Sequence, residues 1–183
     1  PELGVRDLRL VAAKMQIPDH RTLERDTLLL NIMTKIGHLM EARDTVVDGT
    51  ELAKTEAGAR LPAFEAAGVA ILNGDLAGAD AALEGIVDVS TAVLEKARLA
   101  QAQIALGAND FVAARGHVDA AARLHPRGSD ASAIIHNSFL KALERHGHAL
   151  GTDAFDMAIK HGERVRGEFI RDDAFSEIDN NLA

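Results

Sequence analysis

EKARLAQAQIALGANDFVAARGHVDAAARLHP, Glu95 to Pro126, reads as two helices joined by a tight turn. The first helix begins near Thr91 and reaches Leu106. Gly107-Ala108-Asn109 interrupts it, and Asp110 is a residue type that caps a helix N-terminus. The second helix carries Phe111, Ala114, Val118, Ala121 and Leu124 at steps of three and four, the spacing of one apolar stripe, and stops at Pro126 and Gly128. Neither helix can bury its stripe alone, so the pair calls for neighbours of the same kind.

Such neighbours are present. NGDLAGADAALEGIV (Asn73 to Val87) aligns with ANDFVAARGHVDAAA (Ala108 to Ala122), matching Asp75 to Asp110, Leu76 to Phe111, Ala79 to Ala114, Leu83 to Val118 and Ile86 to Ala121. The offset is 35 residues throughout, and Ala67 and Ala102 keep it in the preceding helices. A weaker copy lies upstream, with Leu39, Ala42, Val46 and Gly49; a looser one lies downstream, with Phe155, Ala158, Gly162 and Val165. Ala79 and Ala114 are expected where the two helices of a hairpin cross closely.

These residues resemble the tetratricopeptide-repeat (TPR) family, whose period is about 34 residues. The small–Asp–aromatic start of that family's second helix matches Asn109, Asp110 and Phe111. Its alanines match Ala114 and Ala121, and its Leu-x-Pro ending matches Leu124 and Pro126. Ala102 takes the small position of the first helix, whereas Arg98 and Gln101 stand where the family has Trp and Leu. The resemblance implies an all-α fold of stacked antiparallel helical hairpins forming a short right-handed TPR-like solenoid. The whole of 1–183 then reads as one helical-repeat domain. It has an N-terminal helix within 1–21, units at about 22–59, 60–94, 95–128 and 129–170, and an acidic tail at 171–183.

The remaining elements come from the same stripes. Residues 4–16 form a short helix ended by Ile17-Pro18. Thr22 to Ile36 form another, ended by Gly37. A partner helix then starts near Leu39, with a bend at Gly49 and a stop at Gly58. Pro62 suits the first turn of the next helix, Asn73-Gly74 is a turn, and Asp75 caps the helix after it. Ser129 or Asp130 starts a helix through about Arg145. His146 to Asp153 reads as a loop or a frayed helix end, and a last long helix carries Phe155, Ala158, Val165 and Phe169. Period-two alternation is nearly absent, so strands are not expected.

Composition narrows the chemistry. With 183 residues the chain is long enough for one well-filled core. It has no Cys, Trp or Tyr and six Phe, which removes thiolate chemistry and Cys-ligated zinc and disfavours base-stacking platforms. The net charge of −8 argues against nonspecific nucleic-acid binding. No apolar run spans a membrane and no signal-peptide core is apparent, so a cytoplasmic location is expected.

No catalytic constellation stands out among the eight histidines, the serines or the scattered carboxylates. The chain therefore reads as not an enzyme, with no cofactor and no metal. His146 and His148 form the closest histidine pair, and a polar helix end accounts for them. His136 reads as a buried, hydrogen-bonded histidine. The basic run with Arg164, Arg166 and Arg171 is interleaved by Glu163 and Glu168 and reads as a solvated face.

By resemblance to the TPR family, the first helices of the units line a concave groove that takes a partner peptide or helix. Carried over by position, its residues are Phe64, Gly68 and Ile71, then Leu99, Gln103 and Leu106, then Asn137 and Leu140. A neighbouring helix or a second copy of the chain is the other candidate to fill it. The expected role is a protein-interaction adaptor or small helical chaperone with a protein or peptide partner, no nucleic acid and no membrane. A ligand-sensing regulatory domain tied to transcription control and a self-assembling structural protein are the alternatives.

Overall fold

The structure, a computed structural model, describes residues 4–17, 19–57, 61–150 and 152–166, with backbone alone at 57, 146, 148–150 and 152. Among them the chain is all-α, with eight helices. These are α1 (Val5–Lys14), α2 (Arg25–Ala57), α3 (Pro62–Asn73), α4 (Leu76–Glu84), α5 (Thr91–Gly107), α6 (Phe111–Ala122), α7 (Asp130–Leu150) and α8 (Thr152–Arg166). No helix among the described residues is long and apolar enough to cross a membrane. The expected stop at Gly58, the end of the last helix at Phe169 and the tail at 171–183 lie outside the described residues.

The 35-residue repeat is reproduced atom by atom at two turns. After α3, Gly74 is left-handed (φ 74°), its N–H reaches Ile71 O, and the Asp75 N–H reaches Ala70 O. After α5, Asn109 is left-handed (φ 62°), its N–H reaches Leu106 O, and the Asp110 N–H reaches Ala105 O. Both are Schellman endings, with Gly or Asn supplying the left-handed residue. Asp75 then accepts from the Gly78 N–H at 2.9 Å, and Asp110 from the Ala113 N–H at 2.9 Å. Ala79 and Ala114 come next, each with no exposed surface, the first in the core of α2 to α5 and the second in that of α5 to α8.

The N-terminal half departs from the expected hairpin. α2 is one continuous helix of 33 residues, so neither Gly37 nor Gly49 ends it. An interior glycine costs about 1 kcal/mol, but nothing after Gly37 caps a new helix, and packing along α2 outweighs that cost. Gly49 has its own role. A Cβ there would lie 2.5 Å from the Phe64 ring, so only a glycine lets α3 seat its buried Phe64 against α2.

α2 also pairs out of sequence. Its largest interface is with α5, and the two run antiparallel: Leu39 meets Gly107, His38 meets Gln103, Asp48 meets Lys96 and Glu56 meets Ser90. α3 runs antiparallel to α2 as well, through Gly49 to Phe64 and Val46 to Gly68. Helices α2 to α5 close around one core that includes Val46, Phe64, Ala79, Leu83, Ala97 and Ile104. Helices α5 to α8 close around another with Leu106, Ala114, Val118, Phe139, Leu143, Ala158 and Val165. α5 belongs to both, which is why nearly its whole second half is buried.

The α7–α8 corner differs too. α7 continues to Leu150 rather than giving way to a loop after Arg145, and α8 starts at Thr152. A Cβ on Gly147 would lie 2.7 Å from the Phe155 ring, so this glycine admits Phe155 beside the bend instead of breaking the helix.

Candidate functional site

The residues expected to line an open groove lie in the interior. Phe64 and Ile71 are buried in the α2–α5 core. Leu106 and Leu140 are buried in the α5–α8 core, and half-buried Leu99 packs against it. Asn137 is buried as well. Gln103 is half-buried, its Oε1 3.1 Å from His38 Nδ1 on α2. His38 is itself buried, and desolvation pushes its pKa below the ordinary value, only partly offset by the bond to Gln103 and the charge of Glu41. α2 packs against Phe64 and Gln103, whereas Leu99, Leu106 and Leu140 are covered by the packing of α5 to α8.

Large apolar side chains are exposed on several helices, and α2 carries a row of them. Leu30, Met33, Ile36, Met40 and Val47 are exposed, Met33 at 61%. Leu30, Met33, Gly37, Met40, Asp44 and Val47 keep the alternating three-and-four spacing of a coiled-coil seam. Leu28, Ile32, Ala42, Val46 and Ala53 are buried on the other side. A helix that is apolar on two sides is the pattern of a helix with neighbours on both. Midway along the seam, a Cβ on Gly37 would meet nothing within 4 Å. The space forms a depression of about 240 Å³ lined by Met33, Thr34, Gly37, His38, Glu41 and Arg145, with Arg145 donating to Glu41 at 2.9 Å.

A second feature occupies the positions that depart from the TPR pattern. Gln101 has no exposed surface, and its amide N–H groups reach Asp80 Oδ1 at 2.9 Å and Glu84 Oε2 at 3.0 Å. Arg98 donates to Glu84 at 2.5 Å and to Gln101 Oε1 at 2.7 Å. The Gln101 bond, then the Arg98 bond, hold the Glu84 carboxyl below its ordinary pKa. His117 Nε2 lies 3.7 Å from Asp80, and burial lowers its pKa. α4, α5 and α6 are thus joined by a polar staple where the family uses apolar side chains.

Asp80 and His117 also line a cavity of about 510 Å³ between the end of α1, α2 and the two repeated turns. Buried Lys35 borders it, donates to the Met15 carbonyl at the end of α1, and has its pKa lowered by desolvation.

The third feature is a buried histidine pair. His136 on α7 and His161 on α8 are 3% and 0% exposed, with His136 Nδ1 3.0 Å from His161 Nε2. Arg164 Nη2 lies 3.2 Å from His161 Nδ1 and 2.5 Å from Asp119 Oδ1 on α6. A guanidinium only donates, so His161 Nδ1 is the acceptor and its proton sits on Nε2. That proton is donated to His136 Nδ1, which leaves the His136 proton on Nε2. Desolvation, with the nearby His136, Arg164 and Arg115, pushes the His161 pKa down to about 2, so this imidazole is neutral. One ligand atom from each of Asp119, His136 and His161 lies within 4.8 Å of the other two.

His136 is buried and hydrogen-bonded, as its place on an apolar helix face implied. Its partner His161, with Arg164 and Asp119 beyond it, does not stand out as a cluster in the sequence, because the four residues come from α6, α7 and α8. The available signal was a histidine among apolar residues on each of α7 and α8, His136 and His161. The side chains of His146 and His148 lie outside the described residues. Compared with protein-family models, curated proteins and solved structures, the chain matches none of them.

Proposed function

We propose that this protein is a non-catalytic interaction module whose docking surface is the outward seam of α2. Its partner is an amphipathic helix, laid alongside in coiled-coil fashion, with one apolar side chain entering the depression at Gly37. In this reading α3 to α8 form a short right-handed TPR-like array whose concave side is filled by α2 rather than left open. The two equivalent turns at Gly74-Asp75 and Asn109-Asp110 support the array. The observation that carries the docking surface is the heptad spacing of exposed Leu30, Met33, Met40 and Val47 around a glycine.

A photo-crosslinking residue placed at Met33 or Met40 of the full chain tests this in a native extract, with the equally apolar exposed Leu72 as the control site. Adducts are expected at 33 and 40, absent at 72, and lost when Gly37→Leu fills the depression. No adduct at 33 and 40, or equal labelling at 72, overturns the proposal. An adduct of twice the chain mass identifies the partner helix as α2 of a second copy.

The cavity of about 510 Å³ supports a second reading, a ligand-sensing domain, because its volume is in the range of small-molecule sites and it gathers Lys35, Asp80 and His117. Thermal-shift measurements against a metabolite panel separate the two. A ligand-induced rise in Tm that is lost in Asp80→Asn favours sensing, and no shift across the panel removes it.

A further inference from the structure

We propose that Asp119, His136 and His161 form a site for one divalent transition-metal ion of the zinc, cobalt or nickel type, with Arg164 as its built-in competitor. Two imidazole nitrogens and a carboxylate oxygen are the donor set such ions take, and three protein ligands leave a position open. The two ring nitrogens that face each other are 3.0 Å apart. Placed about 2.0–2.1 Å from a shared ion, nitrogens at that separation subtend roughly 91–97°, narrower than the tetrahedral value and close to the octahedral one. Asp119 supplies the third ligand from a separate helix, so the donors converge from α6, α7 and α8.

The bonding pattern identifies what must change on loading. His136 Nδ1 already carries a lone pair. His161 Nε2 carries a proton, which must move to Nδ1, and Arg164 must then withdraw from Nδ1 because two donors cannot face each other. No proton is lost from the imidazole in this exchange of tautomers; the hydrogen bond between the two rings and the guanidinium contacts to His161 and Asp119 break, and three bonds to the ion replace them. The Arg164 side chain is 41% exposed, so it can leave without opening the core. In the metal-free form its positive charge faces Asp119, where the ion's charge would otherwise lie.

A cavity of about 330 Å³ borders Asp119, His136 and Arg164 and gives access from solvent. Arg123, Arg127 and Ser132 also line it, so the open coordination position faces a basic rim suited to water or a small anion. The apolar setting is the second reason to read the pair as a site. Two imidazoles are withdrawn from water and share one proton between them, and Phe139 stands edge-on to His161 at 4.9 Å between ring centroids.

Titration calorimetry of the full chain with Zn²⁺ and Ni²⁺, and absorption spectroscopy with Co²⁺, test the proposal. One ion per chain is expected, with Mg²⁺ giving no heat. His136→Gln, His161→Gln and the milder Asp119→Asn are each expected to weaken binding at least 100-fold. Arg164→Gln is expected to tighten it about tenfold, which a merely structural histidine pair would not produce. Circular dichroism verifies that each variant is folded, and Asp119→Asn, being at the edge of the cluster, decides the case if a histidine variant unfolds. The proposal is overturned if no saturable binding occurs, if binding survives in Asp119→Asn, or if Arg164→Gln weakens it.

Discussion

Gly49 on α2 faces the Phe64 ring of α3 so closely that a Cβ on the glycine would lie 2.5 Å from a ring carbon. Gly37, twelve positions earlier on the same helix, faces open space. The two glycines therefore respond oppositely to the same substitution. Gly49→Ala forces a fully buried ring to shift and is expected to lower stability by roughly 1–3 kcal/mol. Gly37→Ala removes only the helix-propensity cost and is expected to raise it by up to ~1 kcal/mol. Urea denaturation of both variants measures the pair, and equal signs would contradict the packing described.

Asp75 and Asp110 cap α4 and α6 through the same bond, side-chain oxygen to the N–H three residues on, at 2.9 Å in each case. Asp75→Ala and Asp110→Ala are each expected to cost about 1 kcal/mol. Because the turns are alike, the two losses should agree within a few tenths of a kcal/mol. A cost at one position only would show that the repeat is not energetically equivalent.

Gln101→Leu puts an apolar side chain in place of the buried amide. It also removes both amide donations, to Asp80 and to Glu84, and takes one acceptor from Arg98. A destabilisation of roughly 1–3 kcal/mol is expected. The Glu84 carboxyl should also rise towards its ordinary range, since the Gln101 bond is the largest cause of its lowering. An NMR titration of Glu84 reads the second effect independently of the first, and an unmoved Glu84 would remove Gln101 as the cause.

Acid sensitivity is expected from His161. Its folded pKa is about 2, against 6.5 for an ordinary histidine, so the unfolded chain binds the extra proton first. The stability it contributes is complete above pH 6.5 and is lost as pH falls from 6.5 towards 2. The slope approaches about 1.4 kcal/mol per pH unit for this one group. His38 and His117 are lowered in the same direction and add to the trend. Denaturation midpoints between about pH 7.5 and 5, in buffer with a chelator, should fall steadily and fall less in His161→Gln. A flat profile would place His161 in water.

Much of the local structure was legible in the chain itself. Apolar steps of three and four, the Asp caps and the Gly or Asn turn residues act through neighbours in sequence. The Ala108–Ala122 stretch and its copy at Asn73–Val87 therefore have the same turn, cap and buried alanine. Contacts between distant residues set the rest. Gly37 and Gly49 look like breaks because their propensity cost is local. The long interface of α2 with α3 and α5, which outweighs that cost, exists only once the chain is folded. The same interface buries Phe64 and covers Gln103, turning an expected groove into interior. The Asp119–His136–His161 cluster is likewise a product of tertiary structure, since three helices must converge before two imidazoles and a carboxylate come within reach of one another.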